Sequence, residues 1–290
     1  MKLSQQSLVS LRSLGIEFDG EERIVLTGSE ALNVSYMLGP RSSSTSVPRA
    51  VLLDMDGTSL ISEQFWVRML DETVRYVTKS DVGLSSSDKL SVQGATTRDH
   101  LAFLKRSLGL DIGLQDLVSA YDIVVEDAFY NHDVGTLARE ISLQAGFADV
   151  RSTAFALGIP FLLVTNGNMR KADIETRIIA HHLELDDVAA VSTGVWCAPR
   201  QEGWLKAFGG SLGKPHPWPY LEAATKGAGI ETKDLGSVIA VDDSAAGVCS
   251  IRLAGLKTVG LAGGNISAMG AEVFCDELAE SLYDVCGFLK

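Results

Sequence analysis

The feature that most constrains the fold is a series of short apolar runs, each of which ends at polar residues. The first run is Ala50-Val-Leu-Leu53, which meets Asp54. Four further runs have the same form, at residues 160–166, 188–194, 237–243 and 257–264. Apolar runs of this length are typical of strands buried on both faces of a parallel sheet. Helical patterns accompany these runs, which predicts a doubly wound α/β sheet, with helices at 169–183, 218–228 and 244–255.

Residues 62–149 interrupt this alternation, because they contain helical patterns but no convincing buried strand. Apolar residues at helical spacing predict one helix after Ser62, a second from Thr97 to a stop at Gly109, and a third over about 114–130. We interpret this segment as a helical cap inserted after the first strand. The expected organisation is an N-terminal extension and linker at 1–49, a core formed by 50–62 and 150–290, and a cap at 63–149.

The N-terminal extension has a pattern of its own. Residues 16–28 alternate around Asp19-Gly20, which predicts a β-hairpin. Residues 40–49 have the proline and serine content of a flexible linker, so we expect a boundary there.

Composition and charge limit the classes of partner that we expect this chain to bind. Of the 290 residues, 46% are hydrophobic and 21% are charged, which is typical of a globular protein. The 25 Lys and Arg against 37 Asp and Glu give a net charge of −12, so we expect neither a nucleic acid nor a membrane as partner. The four cysteines form no Cys-x-x-Cys pair, and no targeting segment is visible, so we expect a cytoplasmic protein.

Two carboxylates follow the first predicted strand. Asp54 and Asp56 stand two residues apart in Asp54-Met-Asp-Gly-Thr58, where the turn of the backbone brings both into one site. An acid directly after three buried apolar residues is costly unless it has a purpose. One carboxylate can attack phosphorus as a nucleophile, while the other protonates the leaving oxygen and later deprotonates water.

Three further motifs suit the same chemistry. Thr165 and Asn166 end the second strand, where a hydroxyl and backbone N–H groups at a helix N-terminus suit phosphate oxygens. Lys214 supplies a fixed cation that balances the charge of the attacking carboxylate and the phosphoryl group. Asp242 and Asp243 end the fourth strand, and acids so close to Asp54 would repel unless a hard cation such as Mg²⁺ neutralised them.

These motifs, in this order and over roughly residues 50–264, resemble the haloacid dehalogenase superfamily of phosphotransferases. The resemblance implies a Rossmann-like catalytic core, with the helical insertion in the place of that superfamily's type 1 cap. It also implies roles for single residues. Asp54 is the expected nucleophile, Asp56 the general acid/base, and Thr165, Asn166 and Lys214 the phosphate contacts. The expected cofactor is Mg²⁺, and the expected metal-site residues are Asp54, Asp56, Asp242 and Asp243.

The motif at 213–220, Gly-Lys-Pro-His-Pro-Trp-Pro-Tyr, looks like that of phosphatases acting on small sugar phosphates and glycerol phosphate. We therefore expect hydrolysis of a small phosphomonoester, such as a sugar or polyol phosphate. Asp56 argues against the dehalogenases, which lack the second aspartate, and against the phosphonoacetaldehyde hydrolases. The chain departs from common sugar phosphatases at Ile61, where an aspartate is usual, and in the additional residues 196–212.

Two alternatives remain open. A phosphosugar mutase is disfavoured, because the hinge histidine of beta-phosphoglucomutase falls at Trp66 in this chain. A non-catalytic regulator on the same fold is disfavoured by the intact acids and Lys214. No pattern in the sequence identifies a protein partner.

Selectivity must come from outside the core motifs, because every phosphomonoester presents them with the same group. The predicted cap supplies two basic candidates for contact with the leaving group, Arg98 and Lys105.

Overall fold

The computed structural model describes residues 4–20, 22–27, 34–39, 47–81, 83–92, 97–197 and 212–289. The strands in this part of the chain are β1 Ile16–Phe18, β2 Arg23–Leu26, β3 Val34–Met37, β4 Ala50–Asp54, β5 Leu60–Ile61, β6 Ser142–Leu143, β7 Phe161–Thr165, β8 Gly194–Cys197, β9 Val238–Asp242, β10 Lys257–Leu261 and β11 Glu277–Ala279. The helices are α1 Gln5–Ser13, α2 Glu63–Thr78, α3 Ser86–Ser91, α4 Thr97–Ser107, α5 Leu114–Val125, α6 Val134–Leu137, α7 Phe147–Ala156, α8 Met169–His182, α9 Trp218–Glu222, α10 Ala245–Leu253, α11 Ile266–Met269 and α12 Leu282–Phe288.

The central sheet confirms the doubly wound α/β prediction. Within the described residues it contains six parallel strands in the order β11-β10-β9-β4-β7-β8. The chain starts in the middle at β4, adds β7 and β8 on one side, and then returns to add β9, β10 and β11 on the other. The carboxyl ends of β4, β7 and β9 therefore lie side by side, which is where such sheets bind ligands.

Two parts of the sheet differ from the prediction. The prediction of a strand at 188–194 is wrong, because Val188–Ala190 forms a 3₁₀ turn and β8 starts only at Gly194. The apolar run there instead places Val191 in the core. The edge strand β11 was not predicted, because two of its three residues are exposed and it has no buried apolar run.

The helices that the sequence predicted lie close to their expected positions, whereas α7 and α12 were not predicted. The expected helix at 218–228 is α9, which continues into a π-helical turn at Ala223–Gly227. In the same way α5 continues into a π-helical turn at Glu126–Tyr130. No helix in the described part of the chain is long and apolar enough to cross a membrane.

The predicted insertion leaves the sheet after β4. Its two connections are adjacent, because β5 and β6 pair antiparallel with Leu60 opposite Leu143. The first helix, α2, buries Phe65, Met69 and Val74 on one face, as its apolar spacing requires. The helices α2, α4, α5 and α6 share one apolar cluster with residues of the sheet, including Val51 and Leu53. The division at 63 and 149 stays a prediction.

The N-terminal segment forms a three-stranded antiparallel sheet. The hairpin predicted at 16–28 is confirmed, because β1 pairs with β2, and β3 adds on the other side of β2. Leu11 of α1 and Ile24 of β2 pack in one apolar cluster with Val248 of α10 and Phe274. The Phe18 and Phe274 rings stack with their centroids 5.8 Å apart. The segment therefore shares a core with α10 and with residues 266–275, which follow β10 of the larger sheet.

We expect Ile24→Ala to destabilise the whole chain, because Ile24 is completely buried in this shared core. The expected loss in the free energy of unfolding is about 2–5 kcal/mol, measured by urea denaturation. Ile123→Ala is the matched control, since Ile123 is 54% exposed, and its expected effect is within about 0.5 kcal/mol. A separate low-stability transition for residues 4–39 would contradict the shared core.

Candidate active site

A cavity of about 400 Å³ lies at the carboxyl ends of β4 and β7, beneath the helices of the predicted cap. Its floor includes Asp54, Asp56, Thr165, Asn166 and Lys214, which the structure thus brings together. The wall on the side of the insertion is largely apolar and aromatic, with contributions from Trp66, Leu70, Val92, Val118, Tyr121, Val125 and Tyr130.

A buried lysine joins two of the acids. The Lys214 ammonium contacts Oδ1 of Asp54 and lies 2.8 Å from Oδ2 of Asp242. Burial opposes the charge of Lys214, but Asp242 and Asp54 outweigh it and raise the pKa of Lys214. Burial also raises the pKa of Asp54 well above its usual range, against the attraction of Lys214 and with the repulsion of the neighbouring acids. Lys214 is therefore positively charged and offsets the negative charge of Asp54 and Asp242.

Asp242 is fixed by four donors. Its Oδ2 accepts from Lys214 and, at 2.7 Å, from the Tyr220 hydroxyl. Its Oδ1 accepts from the backbone N–H and the hydroxyl of Ser244, at 2.9 and 2.7 Å. A Cβ on Gly247 would lie 1.9 Å from this carboxylate, so only glycine leaves room for it. The side chain of Asp242 therefore has one orientation, directed at Lys214.

Asp243 lies next to Asp54 on the other side of the site. Its Oδ1 accepts from the Thr58 hydroxyl at 3.1 Å. Gly57 has a φ of +81°, and a Cβ there would lie 2.3 Å from Oδ2 of Asp243. Burial raises the pKa of Asp243 well above its usual range, and Asp242 and Glu63 add to the effect.

The three acids together form a candidate metal site. Carboxylate oxygens of Asp54, Asp242 and Asp243 lie within 4.8 Å of one another, and all three residues are buried. Burial raises the pKa values of Asp54 and Asp243, and repulsion from the neighbouring acids adds to both shifts. An all-oxygen donor set of this kind fits a hard divalent cation.

Asp56 lies in a different environment from Asp54. Its Oδ1 accepts from the Ser62 hydroxyl at 2.7 Å and from the Trp66 indole N–H at 2.6 Å. Its Oδ2 contacts the ammonium group of Lys171. Burial alone would raise the pKa of Asp56, but the charge of Lys171 and the hydrogen bonds outweigh it, so the pKa is lowered.

Lys171 was missed in the sequence. It lies in the first turn of α8 and pairs with Glu175 four residues later, at 3.3 Å. Such i,i+4 pairs are ordinarily solvated, and the spacing alone does not show that this pair faces inward. The only available signal was that α8 begins directly after Thr165 and Asn166.

Thr165 and Asn166 differ in what they contact. The Thr165 hydroxyl accepts from the backbone N–H of Gly167 at 2.9 Å and lines the cavity. The Asn166 side chain accepts from the Lys214 backbone N–H at 2.8 Å and donates to the Lys214 carbonyl at 3.4 Å. Asn166 therefore holds the segment that carries Lys214.

Arg98 and Lys105, the two basic residues of the predicted cap, also differ in what they contact. Arg98 lines the cavity, and its Nη1 donates to Oε1 of Gln115 at 3.3 Å. Lys105 is not among the residues that line it. The Lys105 ammonium donates to the carbonyl of Leu110 at 3.0 Å, so it stabilises the end of its own helix, α4. The geometry therefore favours Arg98 over Lys105 as a substrate contact.

His216 connects the lysine segment to the N-terminal sheet. Its Nδ1 lies 3.0 Å from the Tyr36 hydroxyl, and its backbone carbonyl accepts from the Ser250 hydroxyl. Burial lowers the pKa of His216 to about 4. The folded protein thus keeps this imidazole neutral in a pH range where the unfolded chain protonates it.

This shift predicts an acid-dependent loss of stability. Because the folded-state pKa lies below the usual 6.5, the unfolded state binds more protons between pH 6.5 and 4, and the free energy of unfolding falls as the pH falls through that window. The expected loss from His216 is at most about 3 kcal/mol. Urea denaturation with EDTA present at pH 7 and pH 4.5 measures it. His216→Asn should lose less stability than wild type over this interval, whereas a variant of the exposed His132, His132→Asn, should match wild type.

Comparison with known proteins places this geometry in a family. The family model for haloacid dehalogenase-like hydrolases matches residues 48–255. No curated protein matches the chain in sequence.

Solved structures with the same fold have low sequence identity to this chain. CbbY from Rhodobacter sphaeroides, in complex with phosphate, is 17% identical with a TM-score of 0.59, over 82% of this chain and 96% of its own. A putative beta-phosphoglucomutase from Thermotoga maritima is 17% identical with a TM-score of 0.56, over 83% and 98%. A predicted phosphoglycolate phosphatase from Haemophilus somnus is 15% identical with a TM-score of 0.59, over 85% and 100%.

The family model covers more than two thirds of the sequence and spans all of the motifs that meet at the cavity. This chain therefore belongs to the haloacid dehalogenase-like hydrolase family.

Proposed function

We propose that the chain is a Mg²⁺-dependent phosphatase that hydrolyses a small phosphomonoester through an aspartyl-phosphate. One observation carries the proposal: the buried carboxylate of Asp54 lies on the cavity floor in contact with the fixed cation Lys214. Asp54 is also one of the three acids of the candidate metal site. Phosphoryl transfer needs little from a protein beyond a positioned nucleophile and positive charge.

The side chains divide the chemistry between them. A carboxylate oxygen of Asp54 attacks phosphorus, the bond from phosphorus to the leaving oxygen breaks, and the protonated form of Asp56 supplies the proton that this oxygen needs. Asp56 then takes a proton from water, the water oxygen attacks phosphorus, and the bond to Asp54 breaks to release phosphate. Lys214 balances the negative charge throughout, and the hydroxyl of Thr165 is available to a phosphate oxygen.

Asp54, the backbone carbonyl of Asp56, and Asp243 would hold the metal ion. When bound, Mg²⁺ supplies positive charge that offsets the acids and the phosphoryl oxygens. Asp242, which is already held by four donors, supports the site by orienting Lys214.

A sugar or polyol phosphate is the proposed substrate class, and Arg98 is the cap residue best placed to select it. The CbbY structure with bound phosphate supports a phosphate site on this fold. We also propose a cytoplasmic location, supported by four cysteines that form no disulfide in the described residues.

The test is phosphate release from a panel of sugar, polyol and aryl phosphates, with Mg²⁺ or with EDTA. We expect wild type to release phosphate only with the metal ion. Asp54→Asn should lower kcat at least about 10³-fold, because the amide oxygen is a poor nucleophile. A thermal melt in EDTA checks that the variant folds. The matched control is Asp173→Asn, since Asp173 is exposed on the far helix surface, and it should retain the wild-type rate.

Failure of wild type to release phosphate from every ester would reject the proposal and favour a non-catalytic role. Isomerised phosphosugar in place of free phosphate would favour a mutase. The indole N–H of Trp66, which donates to Asp56, cannot act as a base in the place of a hinge histidine.

A further inference from the structure

Lys171 and Glu175 form a buried ion pair that the proposed reaction does not use. The side chain of Lys171 is 17% exposed and that of Glu175 is completely buried. Arg177 and Asp173 form an i,i+4 pair on the same helix, and their side chains are 55% and 54% exposed. An ion pair that only stabilises the surface of a helix is expected to be exposed, as Arg177 and Asp173 are. The burial of Lys171 and Glu175 therefore needs another explanation.

Lys171 contacts Asp56, the predicted general acid/base. Its ammonium group contacts Oδ2 of Asp56 and lies 3.3 Å from Oε1 of Glu175. The same group lies 4.0 Å from the centre of the Trp66 ring. Lys171 is therefore bounded by two carboxylates and an aromatic face, which restricts it to one position.

The two oxygens of Asp56 are held from opposite sides. Ser62 and Trp66, at the start of the insertion, donate to Oδ1. Lys171, on α8 of the core, contacts Oδ2. Contacts on both oxygens fix the rotation of the carboxylate about its own axis as well as its position.

We propose that Lys171 is a positioning residue that orients Asp56 for proton transfer to the leaving group, and that Glu175 anchors Lys171 for this purpose. The proposal rests on the proposed phosphatase function. General acid catalysis requires the donor oxygen to reach the leaving oxygen at hydrogen-bond distance, so a small rotation of Asp56 is costly.

Two esters with different leaving groups separate this role from a structural one. p-Nitrophenol leaves without protonation, whereas a sugar or polyol alkoxide requires a proton. The measured quantity is kcat/KM, which reports the steps up to release of the leaving group and leaves out the later hydrolysis of the aspartyl-phosphate, a step that also uses Asp56 and is common to both esters. We expect Lys171→Met to lower kcat/KM about 10²-fold on the best alkyl phosphate of the panel, and by less than about fivefold on p-nitrophenyl phosphate. Asp56→Asn should show the same dependence on the leaving group, more strongly.

Two further variants complete the experiment. Lys171→Arg keeps the charge and should recover part of the alkyl phosphate rate. Lys233→Met, a change at an exposed lysine, should leave both rates unchanged. If Lys171→Met does not fold, Glu175→Gln carries the test, because it keeps the size of the anchor and replaces its carboxyl group. Its expected loss is about tenfold on the alkyl phosphate, with little change on p-nitrophenyl phosphate.

Equal losses on the two esters would overturn the proposal, since they would show that Lys171 acts on the phosphoryl group or on the fold. Unchanged rates on both would overturn it as well. An inactive wild type would reject the proposed function itself, which distinguishes that failure from failure of the positioning role.

Discussion

The arrangement of the site depends on one buried cation. Lys214 is enclosed by Asp54 and Asp242, and all three side chains are buried, so bulk water solvates their charges poorly. Removing one partner from such a group leaves a buried charge unpaired, at a cost of about 3–5 kcal/mol. The surrounding residues meet this constraint: Asn166 holds the lysine backbone, Tyr220 and Ser244 fill the remaining positions on Asp242, and Gly247 leaves room for it.

The same physics gives different properties to two acids that are two residues apart. Burial raises the pKa of Asp54, and the neighbouring acids add to this effect against the attraction of Lys214, whereas for Asp56 the charge of Lys171 and the hydrogen bonds outweigh burial and lower the pKa. A cation bound among Asp54, Asp242 and Asp243 would offset the repulsion between these acids and favour the ionised Asp54 that a nucleophile requires. The difference between Asp54 and Asp56 arises because β4 ends between them, so the turn directs one side chain to the neighbouring strands and the other to α8.

The sequence predicted the sheet because buried parallel strands have a simple signature, and it predicted the acids because each ends such a strand. It failed at 188–194, where an apolar run packs into the core without forming a strand. It missed Lys171, because the inward direction of a helical charge depends on what the helix packs against. Lys105 and Asn166 show the same limit: their motifs place them near the site, but their contacts are set by tertiary neighbours. The roles assigned to the site residues stay predictions.

The N-terminal sheet has a consequence for how the chain is made. Leu11 and Ile24 leave the ribosome well before their core partners Val248 and Phe274. Tyr36 must likewise wait for His216, which is 180 residues away. Contacts this far apart in sequence form slowly and only after a large loop closes. Until Val248 and Phe274 have been synthesised, this apolar face has no native partner, so the nascent chain exposes an apolar surface that favours aggregation.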